Sequence, residues 1–331
     1  MSNGILYTNG ATVDGFLREG IRNEYGLCIL GDGVDLDQSK RLRDQLPDAI
    51  ILQDVNLNAI KPWSKMPQWM RANPLRRITY DLDARLAYHF QDWQFMGDEK
   101  RTAYHGKARL APLDDKRGDK DGDGVIEPHE RSERARYIHD VMNLVREYAE
   151  LTRGIVDGIW GEWSPFLSRG WMGKDLIPDF DEERWVTGAS RLWRRIGHMH
   201  QRVPGFVYGC NNITPSIWPI DRADVLTQNL ALDVVKIELS PLRSIHKNDL
   251  LDEATDARLR GPRWWADRGM IVAVEVWDHG SAMPNDAYWP HAKAVVADLR
   301  AKGARVFLSR YPYISKGSRG WPNHRVLPEV G

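Results

Sequence analysis

Eight short apolar runs, alternating for the most part with helical patterns, predict a (β/α)8 barrel of the TIM type. Two observations carry this expectation. The runs are uniformly apolar, as strands are when helices cover both faces of a parallel sheet. Their number suits a closed barrel, and no glycine-rich phosphate-binding turn follows any of them, which weakens a doubly wound nucleotide-binding alternative. A chain of 331 residues fits one such domain over 1–331.

The first run is Ile5 to Thr8, ended by Asn9-Gly10, and the second is Leu27 to Leu30. Asp37 reads as the N-cap of a helix through Leu46 that Pro47 stops. The third run, Ile50 to Asp54, closes in acids and amides. A long insertion follows, 57–131, rich in Trp, Pro, Asp and Arg, with a short strand expected at Ile78 to Tyr80. Plain loops of that length are uncommon and usually functional.

The next helix, Ser132 to Thr152, sets Ile138, Val141, Leu144, Val145, Tyr148 and Leu151 at spacings of three and four. It feeds the fourth run, Ile155 to Trp160, beyond which Glu162 stands between Trp160 and Trp163. A helix over Glu182 to Gln201 leads to the fifth run, Gly205 to Tyr208. The sixth is Asp233 to Glu238, the seventh Met270 to Val276 and the eighth Ala304 to Leu308. Helical patterns at Leu250–Arg268 and Ala287–Lys302 separate the last three.

Composition narrows the function classes. Lys and Arg number 46 and so do Asp and Glu, so no basic field points to nucleic acid or to an anionic membrane surface. No apolar stretch is long enough for a membrane span. The first residues show no charged region followed by an apolar run, so no Sec signal is expected; the protein is then cytoplasmic, or part of a particle released by another route. Cys28 and Cys210 lie in apolar runs and read as buried free thiols. The 14 Trp are unusual, and indole faces stack on sugars as well as filling cores.

Asp54, Glu162, Glu238 and Glu275 each close an apolar run, where a barrel presents side chains to its active face. Hydrolysis of a glycosidic bond needs two carboxylates, one to protonate the leaving oxygen and one to attack or to activate water. Glu162, Glu275 and Glu238 are therefore the candidate catalytic acids. Asp54, Trp93, Trp160, Trp163, Asn211, Trp277 and Tyr311 are the candidate contacts to a carbohydrate. No HExxH, CxxC or GxSxG pattern supports zinc or serine-nucleophile chemistry.

A second motif stands in the insertion. Asp119, Asp121 and Asp123 occupy positions 1, 3 and 5 of a twelve-residue loop, Gly124 takes the sharp turn at 6, Val125 offers its carbonyl at 7, and Glu127 and Glu130 follow at 9 and 12. Such all-oxygen, flexible ligation suits Ca²⁺. The segment before it, Leu110 to Asp115, is a poor helix former, so the loop resembles that of an EF-hand without the entering helix. A structural calcium pinning the insertion is expected.

The run Arg134 to Met142, then Gly154-Ile-Val-Asp157-Gly158-Ile-Trp-Gly-Glu162, resembles a segment of glycoside hydrolase TIM barrels. In those, a helix leads into an Asp-Gly-apolar-apolar-x-Asp/Glu phrase at the end of the fourth strand. Phe90-Gln-Asp-Trp93, with Asp98, Glu99 and Gly106, resembles their loop after the third strand. The resemblance covers roughly 50–165 and implies a barrel, a glycoside or polysaccharide substrate and a general acid/base role for Glu162. The family's acid is commonly Asp, and here it is Glu. The large retaining-hydrolase clan also fits, with its acid/base ending the fourth strand and its nucleophile ending the seventh, matched by Glu162 and Glu275. Gly161 stands where that clan has Asn. The alternative is a catalytically silent barrel that binds glycan or serves in a larger surface assembly, such as a virion tail.

Overall fold

A computed structural model describes residues 4–8, 10–19, 25–31, 34–56, 59–60, 91–93, 108–110, 133–162, 191–211, 232–239, 261–277, 288–311 and 327–328. Eight strands run parallel in chain order: β1 (Gly4–Thr8), β2 (Tyr25–Leu30), β3 (Ile50–Asn56), β7 (Gly158–Glu162), β8 (Val207–Asn211), β9 (Val234–Leu239), β10 (Ile271–Trp277) and β11 (Val306–Tyr311). Between the third and fourth of them, β4 (Ala59–Ile60), β5 (Gln91–Trp93) and β6 (Ala108–Leu110) form a separate antiparallel sheet within the insertion. A last strand, β12 (Leu327–Pro328), lies antiparallel to β11.

The helices are α1 (Gly10–Glu19), α2 (Leu36–Gln45), α3 (Glu133–Leu151), α4 (Pro262–Ala266) and α5 (Tyr288–Ala301), with a further helical turn pair over 191–197 that tightens into a 3-10 turn at His198–Gln201. This is the expected (β/α)8 barrel. Its first and eighth strands are joined by a side chain: the Ile5 amide donates to Ser309 Oγ at 2.8 Å.

Period-two alternation splits the apolar residues into two cores. Ile5, Leu27, Ile29, Ile50, Leu52, Trp160, Val234, Ala273 and Phe307 fill the barrel. The other phase, from Leu6, Cys28 and Ile51 to Val274 and Leu308, meets the helices. Trp160, 0% exposed, fits because its neighbour in register is Gly209; a Cβ there would lie 2.6 Å from the indole. Both cysteines are buried and neither is in a disulfide. No helix among the described residues is long and apolar enough to cross a membrane.

Several boundaries differ from expectation. The helix before β3 is capped by Asp35, not Asp37, because Asp35 and Gln38 close a reciprocal capping box. On α3 the buried stripe ends on Thr152, while Leu151 is 41% exposed. Ile155 and Val156 are not strand residues. Their amides return to the Thr152 carbonyl after Gly154, whose φ of 76° is open to glycine, so the fourth strand starts at Gly158. The fifth and eighth strands likewise begin at Val207 and Val306 and reach Asn211 and Tyr311. The helix α1 occupies a stretch whose Asn9-Gly10 reads as a turn.

The opposite, N-terminal face is tied by two aspartates that each precede a strand. Asp157 accepts from the Ile51 amide at 2.7 Å and from Arg43 at 2.6 Å. The same guanidinium donates to the carbonyls of Ile155, Pro47 and Ala49, so one side chain fastens the ends of α2 and α3 beneath β3. Asp233 repeats the device two strands on, accepting from the Tyr208 amide at 2.8 Å. Burial raises the proton affinity of Asp233 above its ordinary 3.8, against the opposing pull of that amide and of His200. The folded state thus holds this proton more tightly than the unfolded one, so the group's contribution to stability is largest at low pH and declines as pH rises through and above 3.8. Asp233→Asn keeps an acceptor for Tyr208 and abolishes that titration. In paired thermal melts, the wild type should lose ground to the variant as pH climbs from 3 to 7 (roughly one titration window).

Candidate active site at the C-terminal end of the barrel

Where the parallel strands end, the inward phase changes from apolar to polar. In β9 the sequence steps from Val234 to Lys236 to Glu238, and in β10 from Ile271 and Ala273 to Glu275 and Trp277. Lys236 and Glu275 are 3% and 1% exposed and joined by a hydrogen-bonded ion pair of 2.9 Å. They lie one layer above the apolar filling, with Ser309 beside Glu275 in register.

Burying two charges is costly, and only a close partner makes it tolerable. The lysine sits between Val235 and Ile237 in a strand whose other residues, Glu238 apart, are apolar. A charge in such a run must be buried with a counter-charge, which is the signal by which sequence could have found it.

The candidate residues can now be placed. Asp54, half-buried, pairs in register with Trp160, and Glu162 ends β7 opposite Asn56. Asn211 is the register partner of Lys236, Glu238 of Glu275, and Trp277 of Tyr311. Positions 54, 162, 211, 238, 277 and 311 therefore occupy the ends of six barrel strands. For Glu162, Glu238, Asn211, Trp277 and Tyr311 the structure describes the strand position and not the side chain.

Trp160 belongs to the interior packing one layer down, wholly covered. Trp93 stands on β5 of the small sheet, again as a strand position. Trp163 and the loop 119–130 with Asp119, Asp121, Asp123, Val125, Glu127 and Glu130 lie outside the described residues, as does the expected strand at 78–80. The helix expected to exit that loop is present as α3.

This rim offers carboxylates, an amide and aromatic residue types at the strand ends, with a buried cation–carboxylate pair beneath. Carboxylates so arranged suit proton transfer and nucleophilic attack at a bound substrate.

The sequence matches no protein-family model and no curated protein. Among solved structures the chain is similar to an AP endonuclease, family 2, from Brucella melitensis (11% identity, 97% of this chain and 95% of that one, TM-score 0.42). It is also similar to an alpha-amylase from H. orenii (9% identity, 94% and 68%, TM-score 0.47) and to a broad specificity endoglucanase from an uncultured bacterium (13% identity, 93% and 79%, TM-score 0.41).

Truncating Lys236 to Ala leaves Glu275 buried without its lysine. The variant should lose roughly 3–5 kcal/mol in urea unfolding.

Proposed function

We propose that the chain is an O-glycosyl hydrolase acting on a polysaccharide or glycoconjugate at the C-terminal mouth of its barrel. The observation that carries this reading is the coincidence of Asp54, Glu162 and Glu238 at the ends of β3, β7 and β9 of one parallel barrel. Glu162 and Glu238 divide the two carboxylate roles. One gives a proton to the leaving glycosidic oxygen as the C–O bond breaks. The other attacks the anomeric carbon or takes a proton from the water that does.

Glu275 is the weaker candidate of the three acids. A carboxylate 1% exposed and bound to an ammonium is poorly placed to meet a sugar. Asp54 and Asn211 hold substrate hydroxyls in this reading, and Trp277 and Tyr311 provide apolar faces for sugar rings. Ca²⁺ binds the loop 119–130 through Asp119, Asp121, Asp123, the Val125 carbonyl, Glu127 and Glu130, and steadies the insertion ahead of α3.

A second reading is a catalytically silent barrel that binds glycan within a larger assembly. The Lys236–Glu275 pair favours it, because it takes one of the candidate acids out of use.

A glycan array followed by mass spectrometry of the products separates the two. The hydrolase reading expects cleavage of a bound glycan by the wild type and a loss of at least about 100-fold in Glu162→Gln. Binding without cleavage selects the silent barrel, and undiminished cleavage by the variant removes Glu162 from the chemistry. Calorimetric titration with Ca²⁺ should show one site on the full chain, absent in Glu130→Gln. No heat from the wild type would dismiss the calcium loop.

A further inference from the structure

The charged pair under the mouth is not needed to fill the barrel. The side chains that fill the barrel below the pair are apolar, and a Met–Leu pair would occupy similar space without the cost of desolvating two charges. Replacing a buried ion pair by apolar residues is often neutral or stabilising, so packing alone does not account for Lys236 and Glu275.

Their placement suggests what does. Lys236 is two residues before Glu238 on β9 and pairs in register with Asn211 of β8. Glu275 pairs in register with Glu238 from the other side and lies two residues before Trp277. The pair is therefore bracketed by site positions on three consecutive strands. Register partners in a sheet stand about 4.8 Å apart, so a charge fixed at 275 acts at close range on position 238. The other titratable positions of the same strand phase at this end are Tyr7, Asp54, Glu162 and Tyr311.

We infer that Lys236 and Glu275 are positioning residues for the strand-end acids: locked to each other in the layer below, they fix the local backbone and field in which Glu238 works. The inference rests on the hydrolase reading. It assigns the pair no contact with substrate, consistent with its burial.

The test is the double variant Lys236→Met/Glu275→Leu in the full chain, with Glu275→Gln as a second protein that keeps shape and an acceptor for Lys236. The double variant should melt at or above the wild-type temperature. Its kcat should fall about 100-fold, as for small misplacements of reacting groups, with KM within about twofold. Both variants should displace the pH profile of kcat. A double variant with wild-type kcat and pH profile would overturn the inference and leave the hydrolase reading standing. So would a parallel loss of stability and turnover, since that marks the pair as structural. If the wild type cleaves no glycan, the hydrolase reading fails instead. The same double variant is then read by glycan affinity, where weakened binding at unchanged melting temperature supports the positioning role and wild-type binding ends it.

Discussion

A parallel barrel has to fill its own interior, and only every second residue of each strand is available for the purpose. That constraint orders the whole molecule. Trp160 can enter the barrel because Gly209 leaves room beside it. The opposite phase is then free to be continuously apolar under the helices. Because the filling is complete below, the inward positions at the strand ends are the ones released from packing. Polar residues accumulate there, and the charges of Lys236 and Glu275 mark the level at which the transition occurs.

The two faces of the barrel use acids in opposite ways. At the N-terminal face, Asp157 and Asp233 spend their lone pairs on backbone amides of neighbouring strands and, for Asp157, on Arg43. Such carboxylates hold register and have little left to offer a ligand. At the C-terminal face, acids stand at strand ends. The difference follows from geometry, since parallel strands direct their free amides toward one end and their free carbonyls toward the other.

Much of the architecture was legible in the sequence because parallel strands covered on both faces are written as uniform apolar runs. The boundaries were less so. Gly158, Gly161 and Gly209 look like turn residues in isolation, yet they are strand positions, required by close approach of Val207, Trp193 and Trp160. Conversely, Ile155 and Val156 look like strand and instead close the turn after α3. Apolarity reports burial, and only partners decide which kind of burial it is. The strand-end acids were legible for the same reason as the strands. Their division of labour was not, because the partner of Glu275 lies on another strand, 39 residues away. Arg43 was invisible for a related cause: besides the distant Asp157, its acceptors are backbone carbonyls, which every residue has.

The join between β1 and β11 has a kinetic meaning. Ile5 and Ser309 are separated by 304 residues, so this bond brings together widely separated parts of the chain. Loop-closure entropy rises with that separation, and contacts of this kind form late. The edge of β1 away from β2 is thus without β11 beside it until the eighth strand has been made. A row of unpaired amides exposed for that long invites pairing with another molecule. Nascent chains are most vulnerable to association during this interval, which ends when β11 comes to lie beside β1.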